Sequence, residues 1–149
     1  MTKQANILIV EDNQGDILLI TRRFKELGIE CCITVCKDGN EALEHIQQKE
    51  KEEYINIPDL IILDFNLPKR NGREVLHELK TNKRLRKTPI IVFTSSEEQS
   101  DVEDAYDEYA NSYVVKPFEL EKYYATIDSI YEFWLRSAKL PSGKPVHKF

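Results

Sequence analysis

Long apolar runs are missing from this chain of 149 residues. None approaches the roughly 20 residues needed to cross a bilayer, so a membrane span is not expected. The residues ahead of the first apolar run, Met1-Thr2-Lys3-Gln4-Ala5-Asn6, are too few and too polar for a secretory signal. Cysteine is scarce: Cys31, Cys32 and Cys36 all fall in one predicted strand and cannot pair sensibly with each other. They read as small core residues in a reducing cytoplasm, not as a disulfide framework. Positive charge is in deficit, with a net charge of −5, which argues against gripping nucleic acid by phosphate neutralisation. Histidine is limited to His45, His77 and His147, too scattered to suggest a metal site. Internal repeats and low-complexity segments are also lacking.

What is present is a globular composition, 41% hydrophobic and 32% charged, in a length that suits one domain with a full core. Strand and helix patterns alternate five times. The first strand covers Asn6–Val10, and a helix near Gly15–Leu27 stops at Gly28, a favoured C-terminal position. The second strand covers Cys31–Cys36. Asp38 and Glu41 form a capping box for a helix reaching about Lys49. Lys49-Glu50-Lys51-Glu52-Glu53 is a solvated charge run, and Pro58 marks a restart. The third strand is Leu60-Ile61-Ile62-Leu63, ending in Asp64; Pro68 and Gly72 punctuate the loop that follows. A helix over Arg73–Lys80 would bury Val75, Leu76 and Leu79. Pro89 opens the fourth strand, an acidic helix spans Glu97–Ala110, and after the fifth strand a final helix runs over Leu120–Arg136. The tail, Ser137–Phe149, reads as irregular.

Such alternation implies an α/β fold with a doubly wound parallel sheet, right-handed crossovers and helices on both faces. Five strands suit the flavodoxin-like order 2-1-3-4-5, which places Glu11-Asp12 beside Asp64 at the point where strand order reverses. Polar groups end four of the apolar runs: Glu11-Asp12 after Ile7–Val10, Asp64 after Leu63, Thr94 after Ile90–Phe93, and Lys116 after Tyr113-Val114-Val115. In open α/β sheets, ligands bind beyond the carboxyl ends of the strands.

Singly, each residue has a bland reading. An acid ending a strand is usually a turn or cap residue, Thr94-Ser95-Ser96 would cap the next helix, and Lys116 would be a surface lysine. Jointly they favour a site. Three carboxylates within a few ångströms repel, by about 4 kcal/mol for a pair at 4 Å and an effective dielectric of 20. Either their pKa values rise or a cation neutralises them. Few hard oxygen ligands, with room for water and a phosphate oxygen, describe Mg²⁺ better than a Ca²⁺ cage, and the absence of His or Cys argues against zinc. Asp64 can then act as a nucleophile toward a phosphoryl donor, with Lys116 and Thr94 on its other oxygens.

Val10-Glu11-Asp12-Asn13, Leu63-Asp64-Phe65-Asn66-Leu67-Pro68, Phe93-Thr94-Ser95 and Tyr113-Val114-Val115-Lys116-Pro117 resemble the CheY-like receiver domain of two-component response regulators. The resemblance spans Asn6 to Arg136 and implies a receiver domain over 1–136, with 137–149 as a tail. It implies that Asp64 is the phosphoacceptor, charged by a sensor histidine kinase. Glu11 and Asp12 would be the acidic pair around Mg²⁺, with Asp12, Asp64 and the backbone carbonyl of Asn66 as direct ligands. Thr94 would be the switch hydroxyl, Tyr113 the coupled aromatic and Lys116 the partner of the phosphoryl oxygens, followed by a cis Lys116-Pro117 bond. Asn66 and Ser96 would flank the path of the hydrolytic water. The charged loop before Pro58, the segment Asn66–Leu76 and the ending Phe133-Trp134-Leu135…Leu140-Pro141 are similar to stand-alone receivers associated with bacterial phytochrome histidine kinases.

After Pro117 the sequence offers one helix and a short tail, too little for a helix-turn-helix reader, so the expected output is contact with a downstream protein. The final helix has a core stripe, Leu120, Tyr123, Ile127, Ile130 and Trp134. A second set, Tyr124, Tyr131 and Leu135, would form a homodimer or docking face unless the tail covers it with Leu140, Val146 or Phe149. The acidic helix has no Lys or Arg of its own, and the stretch from Lys69 to Lys87 is basic; both read first as solvated faces. No histidine stands out as a phosphorelay residue. Two other readings remain: a constitutive scaffold, and an aspartyl-phosphate phosphohydrolase. The latter generally wants a second Asp where this chain has Asn66.

Overall fold

In the computed structural model, residues 5–28, 31–50 and 57–141 are described. Five strands, β1 (Ala5–Val10), β2 (Cys31–Cys36), β3 (Leu60–Leu63), β4 (Ile90–Thr94) and β5 (Ser112–Val115), form one sheet in the order β2-β1-β3-β4-β5. Every pairing is parallel. The alternating helices are α1 (Gln14–Glu26), α2 (Gly39–Glu50), α3 (Gly72–Thr81), α4 (Gln99–Asp107) and α5 (Leu120–Ile130), the last continued by a π-helical segment, Tyr131–Ser137. The fold class and strand order are those expected from the alternation.

The period of two along the strands builds two cores. Ile7, Ile9, Ile62, Ile91 and Phe93 face α1 and α5 with Ile20, Phe24, Tyr123 and Ile127. Leu8, Val10, Ile61, Leu63 and Val92 face α2, α3 and α4 with Ala42, Val75, Leu76, Leu79 and Ala105. Strands buried on both faces read as continuous apolar runs. Register then decides what lies beyond them. Val10 pairs with Leu63 and Thr94 with Val115, so Glu11, Asp64 and Lys116 leave the sheet at one edge. The ladder runs one bond further at each: Glu11 N–H to Cys36 O at 3.0 Å, Asp64 N–H to Val10 O at 2.9 Å, Lys116 N–H to Thr94 O at 2.7 Å.

Local chemistry sets the helix ends. Asn13 caps α1 by accepting from the Asp16 N–H at 2.9 Å, and Gly28 follows with φ of 78°. The expected capping box at α2 is formed: Asp38 accepts from the Glu41 N–H at 2.8 Å and Glu41 from the Lys37 N–H at 3.2 Å. The acidic helix is shorter than expected at both ends, starting after the Glu98 N-cap and stopping ahead of Tyr109, which takes a left-handed φ of 67°. Its charge is also met from outside, since the Arg73 guanidinium of α3 bonds Asp101 and Asp104, and His77 sits 2.8 Å from Glu108. Cys32 and Cys36 are free; burial pushes the Cys36 thiol up to about 12, which keeps it unreactive.

The end of the final helix departs from the reading of its faces. Tyr131 and Leu135, assigned to an exposed docking face, are 2% and 1% exposed within the α1–α5 core. Trp134, assigned to the stripe, is only partly buried, and Leu120, at the first turn beyond the sheet edge, is 53% exposed. Tyr124 is half-buried under the Arg23 guanidinium, 5.3 Å from its ring centre. Tyr131, four residues after Ile127, lies beside the stripe in any α-helix; for Leu135 and Trp134 the cause is the π turn, marked by the Ala138 N–H bonding Phe133 O at 2.7 Å. With about 100° per residue, an unbroken α-helix keeps Trp134 near the Ile127 stripe and turns Leu135 off it. The wider turn, closing i→i+5 bonds, advances each residue by less, roughly 80°. Leu135 therefore comes back onto the stripe and Trp134 swings away. Leu140 does fold back and is buried in the same core; Val146 and Phe149 lie outside the described residues.

Leu135→Ala should therefore lower unfolding free energy by about 2–5 kcal/mol, as buried Leu truncations do. Phe133→Ala, at a position 56% exposed, should cost less, about 0.5–1.5 kcal/mol for its edge-on pair with Trp134. Urea denaturation of both variants checks the assignment, and similar midpoints would contradict it.

Candidate functional site

Two strand ends deliver the acids. Glu11 and Asp12 follow β1, Asp64 follows β3, and one oxygen from each falls within 4.8 Å of the others. Glu11 and Asp64 are 2% and 5% exposed, while Asp12 is exposed at the mouth. The Glu11 carboxylate is held by the Asp12 N–H at 3.0 Å and the Asn13 N–H at 3.4 Å. Asp64 Oδ1 accepts from the Asn66 N–H at 3.0 Å. Behind Asp64 the packing leaves no slack. A Cβ on Gly72 would stand 2.3 Å from the Asp64 carbonyl oxygen and 2.5 Å from Phe65 Cα.

Lys116 neutralises the pocket from the β5 side. Its ammonium donates to Glu11, to Asp64 Oδ2 at 3.1 Å, and to Asp16 Oδ2 at 3.0 Å. Burial works to lower the Lys116 pKa, but the Glu11, Asp64 and Asp16 carboxylates outweigh it and hold the ammonium above its ordinary value. Glu11 goes the other way. Burial and the adjacent Asp64 carboxylate push it up to about 8, with Lys116 offsetting part of the rise. One ammonium among several buried acids leaves net negative charge that a proton or a cation must balance.

Thr94, fully buried, accepts from Asn66 Nδ2 at 3.4 Å. The Tyr113 hydroxyl donates to Ser96 O at 2.9 Å, and its ring meets Phe65 edge-on at 6.0 Å. Ser96, expected beside the hydrolytic path, turns its hydroxyl to Asp101 of α4. The Lys116–Pro117 bond is trans, not cis as the resemblance implied; trans is favoured for X–Pro by about 0.5–1 kcal/mol, and Lys116 reaches its carboxylates with it. Asp16 escaped the sequence reading. It is the third residue of α1, and its direction is set only when that helix docks on the sheet.

The buried acids, the hydroxyl and the ammonium thus meet at the switch point of a doubly wound sheet, where α/β domains bind their ligands. Residues 7–128 match the family model for the response regulator receiver domain, and the chain belongs to that family. It is 39% identical over 129 residues, 87% of this chain and 83% of the relative, to the probable methanogenesis regulatory protein FilR2 of Methanothrix harundinacea. It is 37% identical over 137 residues to response regulator Rcp1 of Synechocystis, covering 92% of this chain and 93% of Rcp1. The crystal structure of the phosphorylated cyanobacterial phytochrome response regulator RcpA superposes with a TM-score of 0.86 at 38% identity, over 93% of this chain and 99% of that one. The Mn²⁺-bound form of Rcp1 gives 0.85 at 36% identity, over 92% and 99%. No described helix is long and apolar enough to cross a membrane.

Because the raised Glu11 keeps its proton up to about pH 8, a divalent cation must displace that proton to bind. Mg²⁺ affinity should rise between pH 6 and 8, by at most about tenfold per unit, with proton release seen in calorimetry. A flat profile would refute the assignment. Gly72→Ala should weaken Mg²⁺ binding and destabilise the fold by about 1–3 kcal/mol, as overpacking does; unchanged Mg²⁺ titration and melting would count against the tight seat behind Asp64.

Proposed function

We propose that this chain accepts a phosphoryl group on Asp64 from the phosphohistidine of a sensor histidine kinase and thereby switches a protein-contact surface. One observation carries the reading: a buried ammonium, a buried hydroxyl and three carboxylates share one edge of the sheet, with Asp64 at 3.1 Å from Lys116 Nζ. The donor set is hard oxygen throughout, which fits Mg²⁺. Glu11, Asp12, Asp64 and the Asn66 carbonyl would hold the ion, which when bound offsets charge on the transferring oxygens.

Asp64 supplies the nucleophile. One carboxylate oxygen attacks phosphorus in line; the O–P bond forms as the P–N bond breaks, and its electron pair returns to the imidazole nitrogen. Lys116, on giving up one of its carboxylate partners, would donate to one phosphoryl oxygen, and the Thr94 hydroxyl to another. Movement of Thr94 toward the phosphoryl group would open room for Tyr113 and so alter the face formed by α4, β5 and α5. Asn66 tunes the approach of the hydrolytic water; Ser96 reaches that path only by leaving Asp101. The only turnover in this reading is that of the protein's own aspartyl phosphate.

Likeness to RcpA, a phytochrome response regulator, supports a phytochrome-type kinase as partner, and such a kinase would place the chain in the cytoplasm. Residues 1–136 would act as the receiver domain, with the tail beyond it. A homodimer through the last helix would use Phe133, exposed there, and the partly buried Trp134 that it meets edge-on at 4.9 Å, in place of the buried Tyr131 and Leu135. Sedimentation of a stably mimicked phosphoprotein should show self-association, and a monomer in both states would rule the dimer out.

Acetyl phosphate or a phosphorylated kinase should add one phosphoryl group in the presence of Mg²⁺, read by intact mass. Asp64→Asn or removal of Mg²⁺ should abolish uptake. Uptake that survives Asp64→Asn would overturn the reading.

A further inference from the structure

Asp16 and Tyr123 are not needed to form the acidic cluster, yet they close a chain of contacts from the pocket to the last helix. The Tyr123 hydroxyl of α5 donates to Asp16 Oδ1 at 2.6 Å, and Asp16 Oδ2 accepts from Lys116 Nζ at 3.0 Å. Tyr123 is 4% exposed, and its ring packs edge-on against Phe93 at 5.3 Å. Its hydroxyl is therefore aimed by core packing, not by chance at a surface.

An ammonium has three N–H donors, and Lys116 spends them on Glu11, Asp64 and Asp16. A phosphoryl group on Asp64 brings a charge of about −1.5 to −2 and further acceptor oxygens. One existing partner must yield. Asp64 stays, because it carries the group, and Glu11 belongs to the acidic cluster. Asp16 lies outside that cluster and is the partner that can be released. Once released, its carboxylate faces added negative charge, which strains its hold on Tyr123. Two helical turns along α1, Arg23 grips Asp128 of α5 through two bonds of 2.7 and 2.8 Å. That second tie is a fixed point about which the first turns of α5 can shift.

We propose that Asp16 and Tyr123 are positioning residues that hold Lys116 back in the unphosphorylated state and report its capture by the phosphoryl group to α5. This relay runs through α1, separate from Thr94 and Tyr113, and it rests on the reading of Asp64 as phosphoacceptor.

Coupling must be reciprocal, which fixes the sign of the test. Asp16→Asn and Tyr123→Phe remove contacts made in the resting state, so each should tighten binding of beryllofluoride with Mg²⁺. The expected gain is about fivefold for Asp16→Asn, the low end of ordinary couplings, and smaller for Tyr123→Phe. Fluorine NMR of the bound anion gives the affinity. Amide chemical shifts over Glu121–Ile127 give the response of α5, which should move on beryllofluoride binding in the wild type and stay largely still in Tyr123→Phe. A merely structural role would weaken binding or leave it alone, and either result in folded variants overturns the relay, as does an unchanged α5 response. If the wild type itself takes up neither beryllofluoride nor phosphoryl groups, the phosphoacceptor reading falls as well. If it takes up both and the variants bind beryllofluoride no more tightly than the wild type, only the relay falls.

Discussion

Neutralisation of buried acids by one ammonium is the constraint on which the site depends. Glu11 and Asp64 are carried below the surface by strands that must be apolar on both faces. Carboxylates in such a place repel one another and lose hydration. Lys116, itself nearly buried, answers that charge in part. The remainder raises Glu11 and leaves an acidic cluster whose oxygens lie close enough together to suit a divalent ion. A pocket fully balanced by the protein would have no use for either ion or phosphoryl group.

The same lysine connects chemistry to shape. Its reach to Asp16, and from there to Tyr123, links the sheet edge to both helices on one face. On the other face, Phe65 lies between the Arg73 guanidinium, at 5.4 Å, and Tyr113, while Arg73 also grips α4 through Asp101 and Asp104. A change at Asp64 therefore meets contacts leading toward α4 and toward α5. Packing this tight transmits small displacements instead of absorbing them, as the close seat of Gly72 behind Asp64 illustrates.

Much of this was legible beforehand because strand ends are legible. Apolar runs such as Leu60–Leu63 have a definite end, and in a doubly wound sheet the ends point one way. Asp64, Glu11, Thr94 and Lys116 were therefore found by position alone. Asp16 was not, because a helix residue gives its direction only once the helix is docked. Tyr123 was recognised as core but not as a donor, since sequence carries no sign of where a buried hydroxyl finds its acceptor. The acidic face of α4 looked uncompensated because Arg73 and His77 lie on a neighbouring helix.

By itself, then, the order of residues determined the alternation, the parallel sheet and the set of groups at its carboxyl edge, all of which follow from local periodicity and chain direction. Only the tertiary structure decided which acids share Lys116, which of Trp134 and Leu135 is buried, and where the Ser96 hydroxyl turns. Those outcomes depend on docking angles and on a single π turn near the end of the chain. A rotation of a few tens of degrees there exchanges buried for exposed, and no periodic pattern in the sequence announces it.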